Sequence, residues 1–135
     1  MKCISASFCS IILLLLVFGT SCTRIETYMH IKNRLGKAIT LHCQSKNDDL
    51  GHHTLEFQQS YNWKFVPNIF GRTLFFCDVL FDSDPKWYHF DAYIYHRDVI
   101  RCNLNHCWWQ IIEDHQASQY DGSTGEWIYY NLTPK

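Results

Sequence analysis

From Ile39 to Cys43 every second residue is apolar, with Thr40 and His42 between them. A strand sends successive side chains to opposite faces, so this period of two marks a strand with one face buried. Similar segments follow. Tyr61, Trp63 and Phe65 alternate with Asn62 and Lys64, while Thr73 to Val79 is β-branched and aromatic enough for a central strand. Within Trp87 to Tyr95, Phe90, Ala92 and Ile94 fall on one face and Asp91, Tyr93 and Tyr95 on the other, and Cys107 to Ile112 closes the series. Shorter candidates are Thr27 to Lys32, Thr54 to Phe57 and Trp127 to Tyr130. Turn formers separate these segments at Asn33–Gly36, Lys46–Gly51, Val66–Asn68, Asp82–Pro85 and Asp121–Gly122. About eight strands with no helical period between them predict an all-β fold of two antiparallel sheets packed face to face.

The N-terminus has a different character. Lys2 precedes an unbroken apolar run from Ile11 to Phe18, followed by the small residues Gly19, Thr20, Ser21 and Cys22. This is the pattern of a signal peptide over residues 1–22, cleaved after Ser21 or Cys22. The run is far shorter than the ~20 residues a membrane-spanning helix needs, so export without an anchor is expected. A single domain, 23–135, remains, and a domain of this size buries less of its surface than a larger one. With Lys2 removed, the 12 basic and 13 acidic groups of the whole chain leave a slightly acidic product, which implies no surface for nucleic acid.

Of the seven cysteines, Cys3, Cys9 and Cys22 lie in the leader, and Cys43, Cys77, Cys102 and Cys107 remain. An even set in a small exported domain reads as two disulfides, each contributing ~2–4 kcal/mol. Retention of Cys22 after cleavage would leave one odd thiol, free or paired between molecules.

Residues for chemistry are scattered. His52-His53 beside Asp48 and Asp49 offers nitrogen and oxygen donors, but without a recognised metal spacing it reads as a solvated turn, and no metal or cofactor is expected. His42, inside a strand, reads as a partly buried, hydrogen-bonded histidine. No activated nucleophile or carboxylate pair has a signature, and cysteines in disulfides offer no thiolate, so a secreted hydrolase is the weakest reading and no catalytic residue is named. The tryptophans Trp63, Trp87, Trp108, Trp109 and Trp127 invite a carbohydrate-binding reading; the alternative is that they fill a small core, each ring removing ~150–250 Å² from water. Bulky residues on both faces of Cys107–Ile112 suggest a strand buried on each side and favour the core. Asn131-Leu132-Thr133 fits the acceptor pattern for an N-linked glycan, with Pro134 behind it lowering transfer efficiency.

Six stretches in order resemble the plant self-incompatibility protein family, the S-protein homologues: Ile31-Lys-Asn33 with Leu35; Leu41-His-Cys43; Ser45-Lys-Asn-Asp-Asp-Leu-Gly51; Tyr61-Asn-Trp63 with Phe65; Pro67-Asn68 through Thr73-Leu-Phe-Phe-Cys77; and Phe90-Asp91 with Tyr93, Arg97-Asp98, Cys102 and Cys107-Trp108. The resemblance spans about residues 26 to 120. After Ile112 the family pattern continues with Asp-Gly, whereas this chain has Glu113-Asp-His-Gln116. The resemblance implies a secreted, non-enzymatic β-sandwich with two internal disulfides, similar to stigmatic proteins of poppy that signal to a pollen membrane receptor. It implies a plasma-membrane receptor partner and no cofactor. The matched residues are mostly scaffold, and a scaffold does not name its partner.

Of the three pairings that four cysteines allow, Cys43 with Cys107 and Cys77 with Cys102 is favoured, since it nests one link in the other and leaves the short gap between Cys102 and Cys107 unclosed. Recognition is assigned to loops at the ends of the sandwich, Lys46–His53, Phe81–Lys86, Tyr95–Asp98 and Glu113–Gly125. The binding candidates there are Asp48, Asp49, His52, His53, Asp84, Lys86, Arg97 and Asp114.

Overall fold

The computed structural model describes residues 25–68 and 70–135; the signal peptide expected over residues 1–22 lies outside the described residues. Ten strands and one short helix follow in the order β1 (Thr27–Asn33), β2 (Ile39–Gln44), β3 (Asp49–Leu55), β4 (Ser60–Phe65), β5 (Leu74–Phe81), β6 (Trp87–Ile94), α1 (Tyr95–Arg101), β7 (His106–Glu113), β8 (Gln116–Asp121), β9 (Glu126–Asn131) and β10 (Thr133–Pro134). They form two five-stranded sheets, ordered β4-β1-β7-β8-β9 and β10-β6-β5-β2-β3. The expected two-sheet all-β sandwich is what the chain forms. One pair departs from the antiparallel rule, because β1 and β7 run parallel at the centre of the first sheet.

The core lies between the sheets and follows the alternation. Ile39, Leu41 and Cys43 are buried while Thr40, His42 and Gln44 are only half-buried. Met29 and Ile31 of β1, Val79 of β5 and Ile111 of β7 are wholly buried. Aromatic rings fill the space between the sheets: Phe65 of the first packs on Phe75 of the second at 4.6 Å, and Trp109 on Phe90 at 4.8 Å. The indole nitrogen of Trp109 donates to the Ala92 carbonyl at 2.9 Å, so the largest buried side chain satisfies its one polar atom across the interface.

Strand β6 breaks its own alternation. Phe75 faces Tyr93, but Phe76 faces Asp91, so one extra residue is inserted in β6 and both Ala92 and Tyr93 are buried. Tyr93, which alternation puts on the face opposite Phe90 and Ala92, joins them in the core for this reason.

The disulfides are Cys43–Cys77 and Cys102–Cys107. This corrects the expected pairing of Cys43 with Cys107 and Cys77 with Cys102. Cys43 and Cys77 are register partners on neighbouring strands β2 and β5, whereas Cys107 belongs to the other sheet. The short gap is closed by local geometry: Leu104 and Asn105 have φ of 54° and 65°, and Asn103 bridges His106. Two central residues with positive φ make a tight hairpin, which sets the flanking Cys102 and Cys107 side by side, with Cα atoms 4.5 Å apart.

Candidate functional site

The sequence-derived candidates do not converge. Strands β2 and β5 are antiparallel, so the turn after β2 and the loop after β5 lie at opposite ends of the sandwich. Asp48 sits at the first end, in a turn closed by the Ser45 N–H to the Asp48 carbonyl at 2.7 Å. Asp84, Lys86 and Asp114 sit at the second. There the Tyr88 hydroxyl donates to Asp84 at 2.6 Å, which together with the Lys86 N–H holds the Asp84 carboxyl below its usual range, and Ser83 donates to Asp114 at 3.0 Å.

Asp49, His52 and His53 are residues of the edge strand β3, which corrects their reading as a solvated turn. A polar strand with Gly51 at a φ of 81° carries too little apolar alternation to be visible in sequence. Asp49 accepts from the Gly51 N–H at 2.9 Å and pairs with His42 Nε2 at 2.7 Å, and these bonds hold its carboxyl below the usual range, the Gly51 bond foremost. His52 stacks on His42 with centroids 4.2 Å apart. His53 bonds the Leu50 carbonyl through Nε2 at 2.8 Å and stacks on Tyr61 of the other sheet at 3.9 Å. Arg97 is structural: its guanidinium pairs with the fully buried Asp98 at 2.7 Å, bonds the Asp91 carbonyl, and lies 5.6 Å from the Trp109 ring centroid. Tyr95–Asp98 is thus a helical segment braced against the core.

Two concave surfaces hold at most one of these candidates. The larger, a cleft of about 650 Å³ at the first end, is framed by the turn Ser45–Asp48, by Phe65, Val66 and Asn68, and by Arg72 to Phe76. The Cys43–Cys77 link braces both walls, since the turn starts two residues after Cys43 and Phe75 and Phe76 immediately precede Cys77. The loop wall is held by polar bonds: the Asn68 N–H donates to Thr73 Oγ1 at 2.6 Å and the Phe70 N–H donates to Asn68 Oδ1 at 2.6 Å. Large apolar side chains are nevertheless left in water, with Phe70 68% exposed. Val66 and Leu74 are exposed too, and the Arg72 guanidinium lies over the Phe70 ring. With Lys46 and Arg72 at its rim against the single carboxylate of Asp48, the cleft presents a net positive charge around apolar surface. In sequence only Asp48 of this cleft was a binding candidate, because Val66–Asn68 reads as a plain turn and Thr73 to Val79 as a central strand.

The second surface is a groove on the outer face of the first sheet, between strands that carry Trp108 and Trp127. Trp109 is buried and Trp108 is 45% exposed, so β7 is not buried on both sides. The inference from its bulky residues that both faces are covered is corrected: among the described residues the other face of this sheet has no second layer.

Comparison with known proteins bears on these surfaces. Residues 28–130 match the model of a family described as plant self-incompatibility protein S1, from β1 through β9 and well past Ile112, where the motif resemblance changes. Among similar curated proteins, S-protein homolog 5 of Arabidopsis thaliana is 46% identical over 79 residues, covering 58% of this chain and 59% of that protein. S-protein homolog 2 of the same plant is 40% identical over 70% of this chain and 58% of its own length, and S-protein homolog 18 is 33% identical over 76% and 77%. The match therefore spans about three fifths of the first two relatives. With all four structural cysteines and nine of the ten strands inside the matched region, the chain belongs to the plant self-incompatibility protein S1 family.

Proposed function

We propose that the chain is an exported, non-enzymatic signalling protein that docks on a plasma-membrane receptor through the cleft at the Cys43–Cys77 end, in self-incompatibility-like signalling of plant reproduction or development. The observation that carries this reading is the placement of exposed Val66 and Phe70 on a loop fixed by Asn68 and Thr73, and of exposed Leu74 at the start of β5, beside a cleft rimmed by Lys46 and Arg72. Apolar anchors held rigidly next to charge are what a protein partner uses for affinity and for orientation. The partner surface that fits is apolar at its centre and acidic at its edge.

Export rests on the leader pattern, with cleavage after Ser21 or Cys22, and on two disulfides, which persist in oxidising compartments. Among the described residues no helix is long and apolar enough to cross a membrane. A binding role is supported by how the titratable candidates are used, since His53 and Arg97 are engaged in scaffold bonds. The same reading includes a glycan on Asn131, which is exposed at the end of β9.

The test is photo-crosslinking from position 70 of the folded, labelled protein on intact plant cells of the secreting tissue and its neighbours. One membrane protein should be captured, with capture lost in Arg72→Glu and retained in Lys86→Ala at the opposite end. Capture that is indifferent to Arg72→Glu, or lost equally in Lys86→Ala, overturns this docking surface.

A further inference from the structure

On the outer face of the first sheet the strand registers draw two rows of side chains across the sandwich. Asn62, His30 and Trp108 stand abreast on β4, β1 and β7. Tyr120, one step beyond the Trp109–Gln119 pair, continues that row to its partner Trp127 on β9. The adjacent row is Ser60, Lys32, Gln110 and Ser118. One row is aromatic and the next is hydrogen-bonding.

His30, Trp108, Tyr120 and Trp127 of the first row and Ser60, Lys32 and Gln110 of the second line a groove of about 280 Å³, close to the ~300 Å³ at the small end of ligand sites. His30 lies against the Trp108 ring with centroids 4.0 Å apart and planes within 15°, and Tyr120 meets Trp127 edge-on at 5.3 Å. These contacts hold the rings upright along one side. Among the described residues the groove is lined by no carboxylate, and its one formal cation, Lys32, has no ion-pair partner. Arg34 reaches the Gln110 amide oxygen at 3.5 Å and brings a second positive group to the rim.

This combination selects among occupants. An extended peptide seeks an unpaired strand edge, but β1 and β7 are central strands whose backbone groups are already bonded to neighbours. A second copy of the chain needs a broad apolar patch, and here the rings are interrupted by Lys32, Gln110 and Asn62 within one residue spacing. A hexose ring meets both demands, since it has a C–H face to lay on an aromatic ring and a rim of hydroxyls for amide and hydroxyl partners. The unpaired Lys32 adds a place for one negative charge. We propose that this groove binds a uronic-acid unit of an acidic polysaccharide, with the sugar ring against Trp108, hydroxyls toward Gln110 and Ser60, and the carboxylate at Lys32. The site is on a different surface from the receptor cleft and does not rest on it.

The experiment uses the oxidised, folded protein titrated with oligogalacturonate, a neutral cello-oligosaccharide of equal length, and polyglutamate as a non-sugar polyanion, read by calorimetry and by tryptophan fluorescence. Oligogalacturonate should bind saturably, with affinity falling about tenfold in Trp108→Ala, in line with the loss of one ring stack. It should fall about fivefold in Lys32→Gln, the neutral oligosaccharide should be weaker by a similar factor, and polyglutamate should not compete. Absence of saturable binding, equal binding of the neutral sugar, full competition by polyglutamate, or unchanged affinity in both variants each overturns the proposal. Should Trp108→Ala fail to fold, Lys32→Gln and Trp127→Ala carry the same readout.

Discussion

The side-chain amide of Gln119 donates a 2.7 Å hydrogen bond to Oδ1 of Asp98, and both residues are completely buried. Through this contact β8 is tied to α1, and Asp98 becomes a hub: it also accepts from the Ile94 N–H at 2.8 Å and from the Arg97 guanidinium. Arg101 extends the network to the Gln119 amide oxygen at 3.1 Å and the Tyr130 hydroxyl at 2.7 Å. Removing one partner of a buried, hydrogen-bonded ion pair leaves the other uncompensated, at a cost of ~3–5 kcal/mol. Asp98→Ala is expected to lose stability in that range by urea denaturation, and a loss under ~1 kcal/mol would contradict the hub.

The two disulfides should differ in weight. Cys43–Cys77 closes 34 residues and Cys102–Cys107 only 5. The chain-entropy relation then gives about 4 kcal/mol for the first and about 2 kcal/mol for the second. Denaturation midpoints of the paired Cys→Ala variants should rank in that order. The Cys43→Ala/Cys77→Ala variant should in addition lose receptor crosslinking from position 70, since the brace between the cleft walls goes with it.

His30 is expected to titrate below 6.5. Burial beside Trp108 lowers its pKa, the bond to Asn62 opposes that, and the charge of a protonated His106 lowers it further. Its Nε2 also shares a 2.8 Å bond with His106 Nδ1, which needs one ring nitrogen without a proton. A histidine held neutral by folding stabilises fully above the unfolded pKa of 6.5, and its contribution is lost as pH falls below that value. The difference in thermal midpoint between the native chain and His30→Gln should therefore shift against the native chain as pH drops from 7 to 5. A nuclear magnetic resonance titration placing His30 above 6.5 would refute this.

Gly122 follows the buried Asp121, and its N–H donates to the Arg101 carbonyl at 2.8 Å. A Cβ built there would run into Cβ of Asn103 and lie 3.0 Å from that carbonyl. Backbone atoms cannot swing aside as a flexible side chain can, so Gly122→Ala should destabilise by ~1–3 kcal/mol. Gly36→Ala, whose Cβ meets nothing within 4 Å, is the matched control and should be close to neutral.

The strands that show one buried and one wet face, such as Ile39–Cys43 and Tyr61–Phe65, were legible because burial follows alternation there. Strand β8 was not, since buried Gln119 and Asp121 spell a loop until Asp98 and Arg101 arrive from elsewhere to partner them. The same long-range dependence hid the scaffold role of Arg97 and the parallel neighbour of β1. The aromatic row was half legible: its tryptophans were counted, but which of Trp108 and Trp109 faces water is set by the phase of β7, and the groove exists only once five strands are in register. The cleft depended on a loop whose order comes from Asn68 and Thr73, a contact that no periodicity announces.

The parallel pairing of β1 with β7 joins Tyr28 to His106 and Asn33 to Ile111. Nearly eighty residues of chain must therefore be made before the central seam of the first sheet can close, and closing so large a loop makes late assembly slow. The second sheet has no such wait among β2, β3, β5 and β6, which are contiguous in sequence apart from β4. Assembly should accordingly begin at the Cys43–Cys77 side, leaving Met29 and Ile31 uncovered until the last hairpins dock. That interval is when this chain most needs a chaperone.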